Sequence, residues 1–391
     1  MKEFLKYLLN SLALSFVGWA VPGSLSTPTA RQQNRCVVVR SDNLGDLILF
    51  LPALETLYKA AGETGVTLVV SEAAAELALG LPERGFPRLE VLTVDRHRFN
   101  ANFFYKLSFL RQLRQRGFRQ AIAPAFSRDS IADTLVAASG AAQRLGWRRQ
   151  VGLLPRGISR RYDSGYTSLQ ASPASVEREA ERNALLPALF CNVTREIPSL
   201  RFPRCEKDRT VAAELLARLG LLPGKFAILA PGAGSPHRIW PLERFAAVAD
   251  YLSQKGLSVA VCGTASEGSL FQEIKRHART EISDLCGQVD VFVLGAMLEQ
   301  TALCVGNESG PIHIASAVGC PAVCIMGGGH QGRFFPPADS QKQIAVFDAA
   351  APCLHDNWAC LRGLSSGETA PCLRSVPVTA VTAAIDRVLA A

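Results

Sequence analysis

The chain has 391 residues, of which 48% are hydrophobic and 19% charged. This excludes disorder throughout and exceeds the usual reach of one hydrophobic core, so two domains are expected. Its formal net charge of +8 is unevenly placed, for residues 1–200 hold 25 Lys and Arg against 17 Asp and Glu, whereas residues 201–391 hold 17 against 17. A basic half beside a neutral half suits an anionic partner such as a membrane surface or an acidic acceptor, while nothing in the chain has the form of a nucleic-acid module.

The first run, MKEFLKYLLNSLALSFVGWAV, places two lysines before an apolar stretch, as a signal peptide does, but Asn10 interrupts it and no small-residue cleavage site follows closely. At 100° per residue Lys2, Glu3, Lys6 and Asn10 share one face, and Leu5, Leu8, Leu9, Leu12 and Phe16 the other. Residues 1–34 therefore read as an amphipathic, membrane-associating segment, with a signal or short anchor as the other reading.

From Cys36 onward, β-rich runs alternate with helical ones. Strands are expected over Val37–Arg40, Val66–Val70, Leu89–Val94 and Ala121–Pro124, and helices over Leu47–Ala61 and Asn102–Arg116. Such alternation is the mark of parallel βαβ units. The arginines of Arg111–Arg119 read as a solvated helix face, and Gly152–Ser175, rich in Arg, Gly and Ser, as a loop or acceptor flap. A helix near Ser175–Phe190 leads into NVTREIPSLRFPRCEKDRT, a linker by its prolines and charges.

The alternation then restarts with FAILAPGAG, LSVAVCG, ALCVGNESG and PAVCIMGGG, each a strand ending in a glycine-containing turn. The expected organisation is an N-terminal domain over residues 35–200, a second over 201–375 and a final helix over 376–391. Ligands of open parallel sheets bind beyond the carboxyl ends of the strands, and with two such domains the natural place is the cleft between them. The eleven cysteines lie mostly singly in apolar runs, which suits free thiols in a reducing compartment.

Four stretches carry chemistry. In VVVRSDNLGDLILFLPAL, Asp46 stands between a strand and a helix, where a carboxylate caps backbone N–H groups or does something more. In LAPGAGSPHRIWPLERF, Gly232, Ala233, Gly234 and Ser235 form a small-residue turn followed by the cation of Arg238, which suits a phosphate. In CVGNESGPIHIASAVGCPAVCIMG, Ser309, Gly310 and Pro311 open a helix directly after a strand. Free N–H groups there would hold a pyrophosphate in the dipole field. Glu308 is placed to accept hydrogen bonds from sugar hydroxyls or to cap, and His313 reads as a packed helix histidine. In VCGTASEGSLFQEI, Glu267 binds a ribose or caps a helix.

RSDNLGDLILFLPAL, PGAGSPHRIWPLERF and NESGPIHIASAVGCP occur in that order, and together they resemble the family 9 glycosyltransferases, the heptosyltransferase family of lipopolysaccharide core assembly. The resemblance covers about Cys36 to Pro337. It implies an α/β protein of two Rossmann-like domains facing a cleft, the GT-B architecture, with the acceptor on the first domain and the nucleotide-sugar on the second.

By that resemblance Asp46 falls on the family's proposed catalytic base, with Arg40, Ser41 and Asn43 on the acceptor side. Gly232, Ala233, Gly234, Ser235, Arg238, Glu267, Glu308, Ser309, Gly310, Pro311 and His313 fall on the donor side. Arg238 stands where the family commonly has Lys, and Glu308 where Asp is usual. The implied reaction is inverting and metal-independent, without a cofactor. It would move a heptose-like sugar from a nucleotide-sugar such as ADP-heptose to a lipid-linked or glycan acceptor at the cytoplasmic face of the inner membrane.

Two other classes are weaker. A dinucleotide oxidoreductase would need GxGxxG in the first turn, and RSDNLGD has a single glycine. A nucleotide-sugar-binding protein without activity would have no need of Asp46. In the tail, Cys353, His355, Cys360 and Cys372 are possible zinc ligands, but their spacing matches no standard pair and plain structural cysteines are expected.

Overall fold

The computed structural model describes residues 2–20, 35–148, 156–191, 199–338, 340–354, 358, 364–365 and 367–391. The chain divides into two compact units, Met1–Ser199 and Leu200–Ala391.

The first unit holds a six-stranded sheet of β1 (Cys36–Arg40), β2 (Val66–Ser71), β3 (Leu89–Val94), β4 (Gln120–Ala123), β5 (Gln143–Trp147) and β6 (Ser168–Gln170), in the order β3-β2-β1-β4-β5-β6. The second unit holds β7 (Phe226–Ala230), β8 (Ser258–Val261), β9 (Ile282–Asp284), β10 (Leu303–Asn307), β11 (Ala322–Ile325) and β12 (Gln343–Val346), in the order β12-β11-β10-β7-β8-β9. All ten pairings are parallel. Counted from its own first strand, each sheet has the order 3-2-1-4-5-6, the dinucleotide-fold topology, whose switch point lies between the first and fourth strands. Those pairs are β1 with β4 and β7 with β10.

The central strands are apolar because helices cover both faces of a parallel sheet. Val37, Val38 and Val39 of β1, and Ala227, Ile228 and Leu229 of β7, are wholly buried. Each buried Val, Leu or Ile contributes roughly 1.5–3 kcal/mol of transfer free energy. Gly306 lets β10 close onto β7, since a Cβ there would lie 2.6 Å from the Ala230 carbonyl oxygen.

The first four strands lie within a residue of the expected positions. Elsewhere the structure corrects the sequence reading. The first crossover helix begins at Leu44, three residues before Leu47, because Asn43 caps it and Asp46 sits inside its first turn. The stretch expected to be a loop, Gly152–Ser175, contains a helix, Arg156–Asp163, and the edge strand β6, whose partner is β5. A helix over Glu206–Arg218 begins inside the expected linker, started by the Asp208 carboxylate accepting from the Cys205 N–H at 2.8 Å. The C-terminal helix, Val378–Ala390, buries Val381, Ile385 and Val388 in the core of the second unit.

The N-terminal helix, Lys2–Ala20, is part of the first unit's core, where Ala13 and Val17 pack among Phe109, Leu110, Leu113, Ile131 and Leu135. Asn10, expected on the face turned to water, is buried instead. Its Oδ1 accepts from the Lys106 ammonium at 2.6 Å and its Nδ2 donates to the Tyr162 hydroxyl at 3.2 Å. Lys106 is itself buried, with its ammonium 5.3 Å from the Phe99 ring centre, and burial brings its pKa down to about 8. An amine kept from water needs an acceptor, and Asn10 supplies it.

Asn10→Ala should lower unfolding stability by about 1–3 kcal/mol, the usual cost of leaving a buried charged donor without its acceptor. The loss should shrink as pH rises above about 8, where folded Lys106 gives up its proton. Denaturant melts across pH check this, and a loss below experimental error at neutral pH would show that the bond contributes nothing.

Candidate functional site

In the first unit the charged groups gather at the carboxyl ends of β1 and β4. Arg40, the last residue of β1, is wholly buried, so its guanidinium must find partners within the protein. Nη1 donates to Asn183 Oδ1 at 3.2 Å, and Nη2 to the Asp46 carbonyl oxygen at 3.0 Å. Nε lies 3.2 Å from Asp42 Oδ1, Nη2 lies 3.8 Å from Asp46 Oδ1, and the group sits over the Phe50 ring. Asn183 comes from the helix Glu179–Cys191 and also donates to the Leu49 carbonyl at 3.2 Å, tying that helix to Leu44–Ala61.

Asp46 is the third residue of the helix Leu44–Ala61 and completes a capping box with Asn43. Its Oδ2 accepts from the Asn43 N–H at 3.1 Å, which fixes the carboxylate plane and turns Oδ1 toward Arg40. The side chain remains 19% exposed. Arg96 donates to the Ser41 carbonyl and pairs with Asp129 Oδ2 at 2.8 Å, while Asp129 Oδ1 caps the helix Ser130–Ala138 at the Ala132 N–H. Burial pushes the Asp42 carboxyl up to about 8 against the pull of Arg40, and the negative charges of Asp46 and Asp129 add to the rise.

In the second unit the equivalent place is the end of β7 and β10. Asn307 is buried and ties the two ends together, its Nδ2 donating to the Pro231 carbonyl at 2.5 Å and its Oδ1 accepting from the Trp240 N–H at 3.2 Å. Glu308 follows, only 5% of its side chain exposed, and its Oε2 accepts from Arg238 Nη2 at 2.7 Å. His330 Nδ1 lies 3.7 Å from the same oxygen, and the Arg238 guanidinium sits over the Trp358 ring at 4.9 Å. Burial would raise the Glu308 carboxyl, but the His330 hydrogen bond and the charges of Arg238, His330 and His313 hold it below its ordinary value. Glu308 therefore stays ionised, and its buried Oε1 has no hydrogen-bond partner among the described residues.

Ser309 is the N-cap of the helix Gly310–Val318, with Pro311 in the first turn. Its hydroxyl turns back to the Asn307 carbonyl at 3.2 Å and makes no capping bond, so the helix start has no side-chain cap among the described residues. Glu267 reaches the same edge from the end of β8. Its Oε2 accepts from the Thr264 N–H at 2.7 Å and the Thr264 hydroxyl at 2.9 Å, so it caps. Gly232 leaves room for the Glu267 carboxylate in this position, since a Cβ there would lie 2.1 Å from Glu267 Oε1 and would make that side chain shift. At Gly234 a Cβ would meet nothing within 4 Å, so its freedom serves no packing there.

Several expected site residues therefore cluster, while others serve as structure. Arg238, Glu308, Ser309, Gly310 and Pro311 stand at one switch point with Gly232, Ala233, Gly234, Ser235 and Glu267 in the turns beside it. His313 is buried within its helix. Arg40 has no surface with which to touch an acceptor and acts on Asp46 instead, whereas Asn43 is exposed. Asp42, Arg96, Asp129, Asn183, Asn307, His330 and Trp358 were not among the expected site residues. Asn307 could have been found inside NESG, but nothing local marks the others.

In the tail, His355 and Cys360 lie outside the described residues, and burial raises the Cys372 thiol. Among the described residues no group of three or more His, Cys, Asp or Glu side chains could hold a metal ion.

A helix start, a guanidinium and a buried carboxylate thus meet at the switch point of a dinucleotide-type sheet, where open parallel sheets bind their ligands. The sequence profile of glycosyltransferase family 9 (heptosyltransferase) matches residues 107–360, and the chain belongs to that family. It is similar to lipopolysaccharide heptosyltransferase 3 of Escherichia coli, 32% identical over 105 residues that span 26% of this chain and 30% of that protein. It also resembles lipooligosaccharide heptosyltransferase 2 of Haemophilus influenzae, 29% identical over 119 residues, 29% of this chain and 34% of that protein. These matches span about a third of the curated relatives.

Solved structures share the fold over nearly the whole chain. The family 9 glycosyl transferase of Veillonella parvula superposes with a TM-score of 0.66 at 20% identity, over 91% of this chain and 97% of that one. ADP-heptose lipopolysaccharide heptosyltransferase II of E. coli gives 0.64 at 17% identity, over 91% and 98%. An E. coli heptosyltransferase solved with ADP-2-deoxy-2-fluoro heptose gives 0.61 at 17% identity, over 90% and 99%.

The raised Asp42 carboxyl predicts a stability trend. Between its ordinary value of 3.8 and about 8 the folded chain keeps a proton that the unfolded chain releases, so this group lowers stability as pH rises through that window. Asp42→Asn removes the slope, and its melting temperature relative to wild type should climb from pH 4 to 8 and then level off. Parallel curves would refute the raised Asp42 carboxyl.

Proposed function

We propose that this chain is an inverting, metal-independent glycosyltransferase that moves heptose from ADP-heptose to a lipopolysaccharide-core or related glycan acceptor. The observation that carries the reading is Glu308, ionised and buried with Oε1 unpartnered among the described residues, held by Arg238 beside the uncapped helix start at Ser309 and Gly310. A buried acceptor without a donor suits a sugar hydroxyl, while the guanidinium and the helix N–H groups suit the diphosphate.

On this reading the second unit holds the donor and the first the acceptor. Asp46 Oδ1 takes the proton of the acceptor hydroxyl as its oxygen bonds to the anomeric carbon. The bond from that carbon to the diphosphate oxygen breaks, its electron pair leaves with ADP, and the added charge falls on Arg238 and the Gly310 helix start. Arg40 is a positioning residue, since it holds the Asp46 carbonyl and faces its Oδ1. Asp46 thus caps and serves as base through different oxygens. Its donor being a cytosolic metabolite and its acceptor lipid-linked, the chain would work at the cytoplasmic face of the inner membrane.

The test is ADP release from ADP-heptose with and without a core saccharide acceptor. Release that depends on acceptor supports the transferase, whereas tight donor binding with no release under either condition would support a non-catalytic binder of the same fold.

Asp46→Asn should leave donor affinity nearly intact and lower turnover roughly 10²- to 10⁴-fold, the usual range for a lost general base. Turnover within twofold of wild type would leave Asp46 as a cap alone. Calorimetric titration with ADP should show weaker binding for Arg238→Ala and, to a smaller degree, Ser309→Ala, because charge-assisted contacts exceed neutral ones. Unchanged affinity in both would put the donor elsewhere.

A further inference from the structure

The N-terminal helix has its polarity reversed for a helix on a protein in water. Asn10, Ala13 and Val17 are buried, yet Leu5 is 57%, Leu8 39%, Leu12 52% and Phe16 49% exposed. These four fall on one face, a stripe about 16 Å long. It continues onto the helix Phe103–Gln115, for the Phe16 ring meets Phe103 edge-on at 6.2 Å and Phe103 meets Phe104 at 6.1 Å. Phe104 is 81% exposed. A contiguous exposed apolar patch of this kind marks an interaction surface.

Charge says which kind. From Arg96 to Arg128 the sequence has eight Lys and Arg and no Asp or Glu, although Lys106 and Arg128 are buried and Arg96 and Arg116 are paired with Asp129 and Glu90. Exposed Arg98 stacks on Tyr105, the neighbour of Phe104, at 4.6 Å. At the other end exposed Arg161 stacks on Tyr7 at 5.3 Å, with exposed Arg160 beside it. The nearest acids in sequence are Asp95, whose carboxylate is taken up capping the Arg98 N–H, and Glu3 and Asp163, of which Asp163 is paired with Arg128. A second copy placed symmetrically on the stripe would bring arginines against arginines. An anionic leaflet meets them with phosphates and receives the leucines among its acyl chains.

We propose that Leu5, Leu8, Leu12, Phe16 and Phe104 form a membrane-docking surface that inserts into an anionic leaflet, with Arg98, Arg160 and Arg161 on its headgroups. The helix is then a fixed part of the first unit and no tether. The inference needs no step of the proposed transfer reaction.

The experiment is sedimentation of the full chain with phosphatidylglycerol-containing vesicles and with neutral phosphatidylcholine vesicles, at low and high salt. Binding should be strong only with the anionic vesicles at low salt. The double substitution Leu8→Ser, Leu12→Ser and the single Phe104→Ser should each reduce it about tenfold or more, with ADP affinity and melting temperature held. Should the serine variants fail to fold, Arg160→Glu with Arg161→Glu tests the charged border and should reduce binding likewise. Wild-type protein that ignores anionic vesicles at low salt, or variants that bind as wild type does, would overturn the proposal. So would a wild-type dimer in light scattering that the serine variants convert to monomer without change in vesicle binding. ADP release with a lipid-free saccharide acceptor reads the transferase separately, and its failure would leave vesicle binding untouched.

Discussion

Strands that run parallel cannot be joined by a tight hairpin, so each must be followed by a segment that crosses back over the sheet, and all carboxyl ends open on one edge. Both sheets obey this constraint throughout. It leaves strand interiors buried on both faces, where Val37–Val39 and Ala227–Leu229 stand. Charged groups are thereby driven to the ends, and there the order of the strands creates a gap between neighbours whose crossovers run to opposite sides. Asp46 and Asp129 follow β1 and β4, and Arg238 and Glu308 follow β7 and β10. The position of every group with chemistry descends from the pairing of the strands.

The two switch points handle charge differently. The Arg40 guanidinium is sealed in, so the fold surrounds it with the Asn183 amide, the Asp46 carbonyl and the carboxyl groups of Asp42 and Asp46. Removing one partner of such a group is costly because the charge stays behind. The tie from Arg40 through Asn183 to Leu49 joins the start and end of the first unit's chain around Asp46. At the second switch point the exposure is reversed, for the cation Arg238 is 19% exposed and the carboxylate Glu308 only 5%.

Legibility followed the range of the interactions. Strands such as Leu89–Val94 could be read because local burial and turns write them into neighbouring residues. Ser309 and Gly310 could be placed because a helix that follows a strand leaves a local mark. The partner of Arg40 could not be, since Asn183 lies 143 positions away and an Asn on a helix has many uses. His330 reaches Glu308 from a turn whose glycines, Gly327 and Gly329, look like ordinary turn residues, and Trp358 reaches Arg238 from a position much further along the chain. Those turn residues are glycine because a Cβ on either would strike the Trp358 side chain. The amphipathic pattern of the N-terminal helix was legible but its direction was not, for periodicity gives two faces without saying which one meets the protein. Lys106, a buried cation in need of an acceptor, decides it.

The Arg238–Glu308 pair also bears on how a donor would be recognised. The two side chains meet at 2.7 Å. Arginine offers a planar fork where lysine offers a point charge, so Arg238 can hold the carboxylate through Nη2 and present further N–H groups to a phosphate. On the proposed reading a nucleoside diphosphate without its sugar brings negative charge against Glu308 and competes with it for Arg238. A complete donor brings hydroxyls that satisfy Oε1 and relieve the competition. Sugar and diphosphate would then be read jointly, through one carboxylate that is uncomfortable until both are present.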